Sequence, residues 1–215
     1  MLSQIAEAAA AAGRPAQAVT LVAASKTVLA DRLQRAIDLG QRAFGENRIQ
    51  EAKQKWAQLR EANPGVQLHL IGPLQTNKAR DAVALFDVIQ SVDRHGVAQA
   101  IARERDKQGR SPKILIQVNT SREPQKSGVL PEEASALIWA CRKDFALEVE
   151  GLMCVPPATG DPSDDFDRLR NLATSEALPV LSMGMSGDFV QAIQHGATHV
   201  RVGSALFGAR PPLKP

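Results

Sequence analysis

The chain has 215 residues, of which 44% are apolar and 23% are charged, as in ordinary folded globular proteins. Its 26 basic and 23 acidic residues are interleaved and leave a net charge of only +3, so the sequence does not favour nucleic-acid binding. Its two cysteines lack metal-ligand spacing, and it has no basic leader and no run of about 18 apolar residues, so we expect a cytoplasmic protein without a metal site or membrane contact.

Short apolar segments alternate with amphipathic segments along the chain. A helix is predicted first, over about Ser3–Ala12. Later helices carry apolar residues at the i, i+3 and i+7 positions, for example Ala134, Leu137 and Cys141. Eight apolar segments are typical of buried strands: Thr20–Lys26, Ala43–Asn47, Leu68–Pro73, Val88–Asp93, Lys113–Asn119, Leu147–Val155, Val180–Ser186 and His199–Ser204.

This alternation of strands and helices predicts an α/β fold with a parallel sheet, because each crossover helix returns the chain to the same edge of the sheet. Eight is also the number of strands that closes a (β/α)8 TIM barrel. An open doubly wound sheet is the alternative, and it would gather its ligand groups at one switch point. We favour a single (β/α)8 barrel domain over residues 1–215, with an extra N-terminal helix.

Small and polar residues follow most of the predicted strands, at the rim where barrels of this kind bind ligands. The segments "MSGD" and "VGSA" follow strands seven and eight. There, Ser186, Gly203 and Ser204 offer hydroxyl groups and accessible backbone N–H groups, which suit a phosphate. The alternative is that Gly187 and Gly203 only form tight turns.

The first predicted strand contains "TLVAASKT", which places Lys26 at the end of an otherwise apolar segment. Burial disfavours the charged form of a lysine, which lowers its pKa and supplies the neutral amine that an imine requires. The alternative is a lysine whose ammonium group extends to solvent. A lysine and a phosphate site at one rim indicate pyridoxal 5′-phosphate (PLP), although a phosphorylated sugar or aldehyde held without an imine would fit similar residues.

Arg201 precedes Gly203 by two residues and therefore shares its face of the eighth strand. An arginine side chain only donates hydrogen bonds, so against the pyridine nitrogen of PLP it would keep that nitrogen unprotonated. The ring would then be a weaker electron sink, which argues against chemistry through a strongly stabilised carbanion. The structural alternative is an ion pair between Arg201 and a rim neighbour such as Asp93.

Longer blocks of the sequence resemble the pyridoxal phosphate homeostasis proteins, a family similar to the N-terminal barrel of alanine racemase. The resemblance extends from about Leu21 to Arg210, and it is most specific in its last block. The chain is somewhat compact between Pro157 and strand seven, which affects none of the matching residues. The blocks are "LVAASKT", "FGENRIQEAKQK", "HLIGPLQTNK", "SVDR", "NTSREPQKSG", "GLMCVPP" and "LSMGMSGDFVQAIQHGATHVRVGSALFGAR".

The resemblance implies a barrel that holds PLP as an internal aldimine on Lys26 and controls its supply to PLP-dependent client enzymes. It places Arg201 opposite the ring nitrogen. The other cofactor-binding residues that it implies contact the phosphate or lie near the ring: Asn47, Met183, Ser186, Gly203 and Ser204. Lys126, in "KSG", resembles a loop lysine of the family, and our hypothesis is that it receives PLP transiently.

Alanine racemase uses a tyrosine as its second base, and this sequence contains no tyrosine. Its four histidines are predicted to lie in helices or strand bodies, and Cys154 lies in an apolar segment that would raise its pKa. We therefore expect a non-catalytic PLP regulator or carrier without catalytic residues. We also expect a monomer, because no partner domain is predicted over the rim. The alternatives are a PLP enzyme of narrow scope, such as a slow racemase, and a phosphate-binding barrel that does not use PLP.

Overall fold

The computed structural model describes residues 1–208, in which eight parallel strands form a closed barrel in chain order. Each strand pairs with the next, and β1 closes the barrel by pairing with β8 through Val22 and Arg201, among other residues. The strands are β1 Thr20–Ala24, β2 Ala43–Glu46, β3 Gln67–Leu70, β4 Val88–Val92, β5 Lys113–Gln117, β6 Val149–Met153, β7 Val180–Ser182 and β8 His199–Val202. The predicted (β/α)8 barrel is confirmed.

Helices follow the strands around the outside of the barrel, and α1 precedes β1 as the predicted extra helix. Local signals set some of their ends: Pro131 begins α6, and Gly109, with φ of 63°, ends α5 in the left-handed region. The helices are α1 Leu2–Ala11, α2 Ala30–Asp38, α3 Ile49–Ala62, α4 Ala79–Leu85, α5 His95–Gln108, α6 Pro131–Lys143, α7 Ser163–Ser175, α8 Phe189–Gln194 and α9 Ser204–Phe207.

The main hydrophobic core lies between the barrel and its helices, and a smaller one lies inside the barrel. Gln90 of β4 hydrogen-bonds Ser182 of β7, and these strands are not neighbours, so both side chains must point into the interior. Val88 shares the face of Gln90 and packs with the buried side chains of Leu115 and Met153. The barrel interior therefore contains an apolar cluster as well as polar side chains.

All eight predicted strands are present, but each was predicted to extend too far at its C-terminal end. The third, predicted over Leu68–Pro73, spans Gln67–Leu70, because buried apolar residues continue past the last paired residue into the rim loop. His195, predicted within a helix, directly follows α8. Ala209 and Arg210, the last residues of the resemblance, lie outside the described residues. None of the helices within residues 1–208 is long and apolar enough to cross a membrane.

Candidate functional site

A cavity of about 530 Å³ opens at the C-terminal rim of the barrel, where the ends of β1, β2, β7 and β8 meet. Its walls also include apolar residues that the sequence did not single out, such as Ile71, Val155 and Phe207. The structure brings six of the seven predicted cofactor-binding residues to this cavity: Lys26, Asn47, Ser186, Arg201, Gly203 and Ser204.

The seventh predicted residue, Met183, follows β7 and is fully buried, and it is not among the residues that line the cavity. Its predicted position near a cofactor ring stays a prediction. Lys126 lies beside the rim: its Nζ is 3.4 Å from the carbonyl oxygen of Val155 and 2.6 Å from Glu123 Oε1. The 1–208 segment contains no cluster of three or more side chains suited to a metal ion.

Lys26 lies two residues beyond the last residue of β1 and is partly buried. The sheet continues one residue past the strand, because the N–H of Ser25 donates to the carbonyl of Gly45 at 2.9 Å. Thr27, on the other side of Lys26, has φ of 62°, a left-handed conformation that is uncommon for a β-branched residue. The chain therefore turns sharply at Lys26 as it leaves the barrel.

The loops after β7 and β8 form one wall of the cavity. Asp188 holds the first loop in a turn by accepting from the N–H of Met185 at 2.5 Å. The N–H of Gly203 points to Ser186 Oγ at 3.4 Å, which joins the two loops. A β-carbon on Gly203 would lie 3.1 Å from the carbonyl oxygen of Ala24, so a larger residue would crowd the end of β1. The wall consists of hydroxyl groups and backbone, as a phosphate site requires.

Asn47 enters the cavity from the end of β2, and the chain packs closely behind it. A β-carbon on Gly72 would lie 2.3 Å from the backbone carbonyl oxygen of Asn47. Only glycine leaves room for this contact without a backbone shift. The rim loop after β3 therefore supports the residue from β2.

Arg201 is 4% exposed at the base of the cavity. Its guanidinium donates to Ser182 Oγ at 2.8 Å and to the carbonyl oxygen of Cys154 at 2.7 Å. Within residues 1–208 it forms no ion pair, and Asp93 pairs with Arg94 at 2.5 Å, so the expected alternative partner is not used. Burial lowers the pKa of Arg201 from its ordinary value. A buried cation without a carboxylate partner attracts an anionic or electron-rich ligand.

A chain of neutral groups extends from Arg201 through the barrel interior. Ser182 Oγ donates to Gln90 Oε1 at 2.6 Å, and Gln90 Nε2 is 2.8 Å from His69 Nδ1. Burial lowers the pKa of His69 to about 3, with a smaller effect of His199, and lowers the pKa of His199 to about 4. This chain orients Arg201 and leaves its charge uncompensated. One signal of this chain is visible in the sequence, namely a glutamine within the apolar segment "VIQSV".

The two cysteines are buried and unpaired, as predicted. Burial raises the pKa of both thiols to about 12. Cys154 follows β6 directly, but its thiol is fully buried and protonated at neutral pH. It does not supply a base to the cavity.

A closed parallel barrel with a lysine, an unpaired arginine and a phosphate-type wall at its C-terminal rim defines a class of small-molecule-binding (β/α)8 proteins. The family model "Alanine racemase, N-terminal domain" matches residues 2–211. The chain is 43% identical over 213 residues to the pyridoxal phosphate homeostasis protein of Pseudomonas aeruginosa, covering 97% of this chain and 92% of that protein. It is 38% identical over 216 residues to the protein of the same name from Escherichia coli K12, covering 96% and 92%.

Among solved structures, PipY of Synechococcus elongatus with PLP bound matches with a TM-score of 0.83 and 37% identity, over 95% of this chain and 100% of that one. PipY without PLP matches with a TM-score of 0.86. The chain belongs to the alanine racemase N-terminal domain family and, within it, to the pyridoxal phosphate homeostasis proteins.

Proposed function

We propose that this protein binds PLP in the rim cavity, with Lys26 as the covalent anchor, and controls the supply of free PLP. The observation that carries the proposal is the convergence of Lys26, the unpaired Arg201 and the Ser186–Gly203 wall on one cavity. The names of the relatives, and the PLP in the PipY structure, support the same cofactor.

The residues of the cavity fit the three chemical parts of PLP. When bound, PLP supplies an aldehyde that condenses with an amine, whose two hydrogens leave with the aldehyde oxygen as water. Lys26 provides that amine, and Ser186, Gly203 and Ser204 provide hydroxyl and backbone donors for the phosphate. Arg201 donates to the ring nitrogen in this proposal, and Asn47 contacts the ring from the end of β2.

A non-catalytic role fits the residues around this cavity better than a racemase does. The chain has no tyrosine, and burial keeps the Cys154 thiol protonated. His69 and His199 lie on strands β3 and β8 inside the barrel, and their lowered pKa values keep them neutral. Arg201, held by Ser182 and the Cys154 carbonyl, would keep a ring nitrogen unprotonated, which disfavours reactions that need a strongly stabilised carbanion.

Titration with PLP tests the proposal, followed by absorbance spectroscopy of the protein with and without amino acids. We expect a near-visible band that saturates at one PLP per chain in the wild type and is absent in Lys26→Ala. Lys113→Ala is the matched control, because this exposed lysine pairs with Glu150 at the far end of β5. A protein that PLP cannot colour would support a phosphate-binding barrel instead, and turnover of an amino acid would support the enzyme.

The remaining parts of the proposal concern the protein in the cell. We propose that residues 1–215 act as one PLP-binding domain, that the protein is monomeric and cytoplasmic, and that PLP-dependent enzymes receive the cofactor from it. Size-exclusion chromatography coupled to light scattering would test the monomer, since a dimer would double the measured mass.

A further inference from the structure

The loop that carries Lys26 is held from behind by charged side chains of β2 and α3. We call this group the α3 clamp: Glu46, Glu51 and Lys55. It contacts the chain on both sides of Lys26: Lys55 Nζ donates to the carbonyl oxygen of Ser25 at 2.7 Å. The N–H of Thr27 donates to Glu51 Oε1 at 2.5 Å.

Lys55 is the centre of the clamp, and its side chain is only 9% exposed. Its ammonium group contacts three oxygens: Ser25 O at 2.7 Å, Glu46 Oε1 at 2.8 Å and Glu51 Oε1 at 3.3 Å. A lysine ammonium has three N–H donors, so these acceptors match its capacity. A lysine on a helix surface would ordinarily extend to water, whereas this one is turned towards the barrel.

Glu46 connects the clamp to the barrel, because it is a residue of β2. It is fully buried at the last position of β2, where Oε1 accepts from Ser25 Oγ at 2.6 Å and from Trp56 Nε1 at 2.8 Å. The Trp56 ring packs against Phe44, with the ring centroids 4.9 Å apart. The carboxylate is therefore rigidly placed and holds both Lys55 and the Ser25 side chain.

We propose that the α3 clamp is a positioning device for Lys26, with Lys55 as its principal residue. This inference rests on the proposed function, because it concerns how Lys26 reaches the aldehyde of PLP. The clamp fixes the residues before and after Lys26 and maintains the left-handed turn at Thr27, whose φ is 62°. The direction in which Lys26 leaves the backbone is thus set by α3 before any ligand binds.

The test compares two ligands, PLP and pyridoxine 5′-phosphate. Pyridoxine 5′-phosphate has an alcohol in place of the aldehyde of PLP, so it cannot bond covalently to Lys26. Lys55→Met keeps most of the side-chain volume and removes the ammonium group. Lys53→Met is the matched control, because Lys53 lies on the same helix, is exposed and pairs with Asp81 away from the Lys26 loop. The dissociation constants of both ligands and the rate of appearance of the near-visible band are measured for each variant.

We expect Lys55→Met to weaken PLP binding by about tenfold or more and to slow the appearance of the band, because only a fraction of the molecules would then hold the Lys26 loop in the binding conformation. The affinity for pyridoxine 5′-phosphate should stay within about twofold of that of the wild type, since the phosphate wall lies in the loops after β7 and β8, away from the clamp. Lys53→Met should leave the dissociation constants of both ligands unchanged.

Lys55→Met leaves Glu46 buried without its ion partner and can reduce folding yield. The double variant Lys55→Met/Glu46→Gln removes both charges, retains an oxygen for Trp56, and should show the same difference between the ligands. The inference would be overturned if the folded variants bound both ligands equally more weakly than the wild type, or if their affinity for PLP were unchanged. A wild type that binds no PLP would instead refute the proposed function.

Discussion

Acidification should destabilise the fold through two histidines inside the barrel. The folded-state pKa is lowered to about 3 for His69 and about 4 for His199, against an ordinary value of 6.5. At a pH between the folded-state pKa values and 6.5, the unfolded chain binds more protons than the folded one. The free energy of unfolding therefore falls as the pH falls below about 6.5.

The size of the effect at about pH 5 follows from the unfolded chain, because both folded pKa values lie below that pH. Each histidine is then almost fully protonated when unfolded and almost fully neutral when folded, which costs about 2 kcal/mol. Together His69 and His199 should reduce the free energy of unfolding by about 4 kcal/mol between about pH 8 and about pH 5. The carboxylates with lowered pKa values, such as Glu104 and Asp161, lose their contribution at lower pH.

Urea unfolding of the PLP-free protein at the two pH values measures this difference. His69→Gln and His199→Gln should each reduce the pH dependence by about 2 kcal/mol, and the double variant by about 4 kcal/mol. His95→Gln is the control variant, because this histidine is exposed on α5, outside the barrel. A double variant with the pH dependence of the wild type would refute the reasoning.

Three further changes test other parts of the structure. Arg201→Met should weaken PLP binding by about tenfold or more, because a charged donor in the cavity is lost. Isothermal titration calorimetry measures this affinity, and an unchanged dissociation constant would contradict the role of Arg201. Gly72→Ala should lower the free energy of unfolding by about 1–3 kcal/mol, since its β-carbon would meet the Asn47 backbone; a stability equal to that of the wild type would contradict this contact. Cys141 and Cys154 should resist alkylation until the protein is unfolded, because burial raises the pKa of both thiols to about 12. Rapid modification of the folded protein, detected by mass spectrometry, would contradict their burial.

The fold could be predicted because strands of a parallel barrel are buried on both faces and appear as short apolar segments separated by amphipathic helices. The rim residues could be predicted because they follow those strands, as Ser186 follows β7 and Gly203 follows β8. The strand ends could not be predicted, since β3 ends at Leu70 whereas Leu74, in the loop beyond it, is again buried.

The side-chain networks behind the site were missed because they join distant positions. Gln90 and Ser182 are 92 residues apart, and Lys55 and Ser25 are 30 apart. Lys55 lies on a helix with other charged residues, where sequence alone favours exposure to water. Its burial depends on the loop that α3 packs against, which no local pattern describes.

Borohydride reduction of the PLP-saturated protein, followed by peptide mass mapping, tests the central proposal most directly. We expect the added reduced cofactor on the single peptide that contains Lys26, and no addition in Lys26→Ala. Stoichiometric labelling of a different lysine, such as Lys126 or Lys55, or a protein that carries no label after saturation, would contradict it.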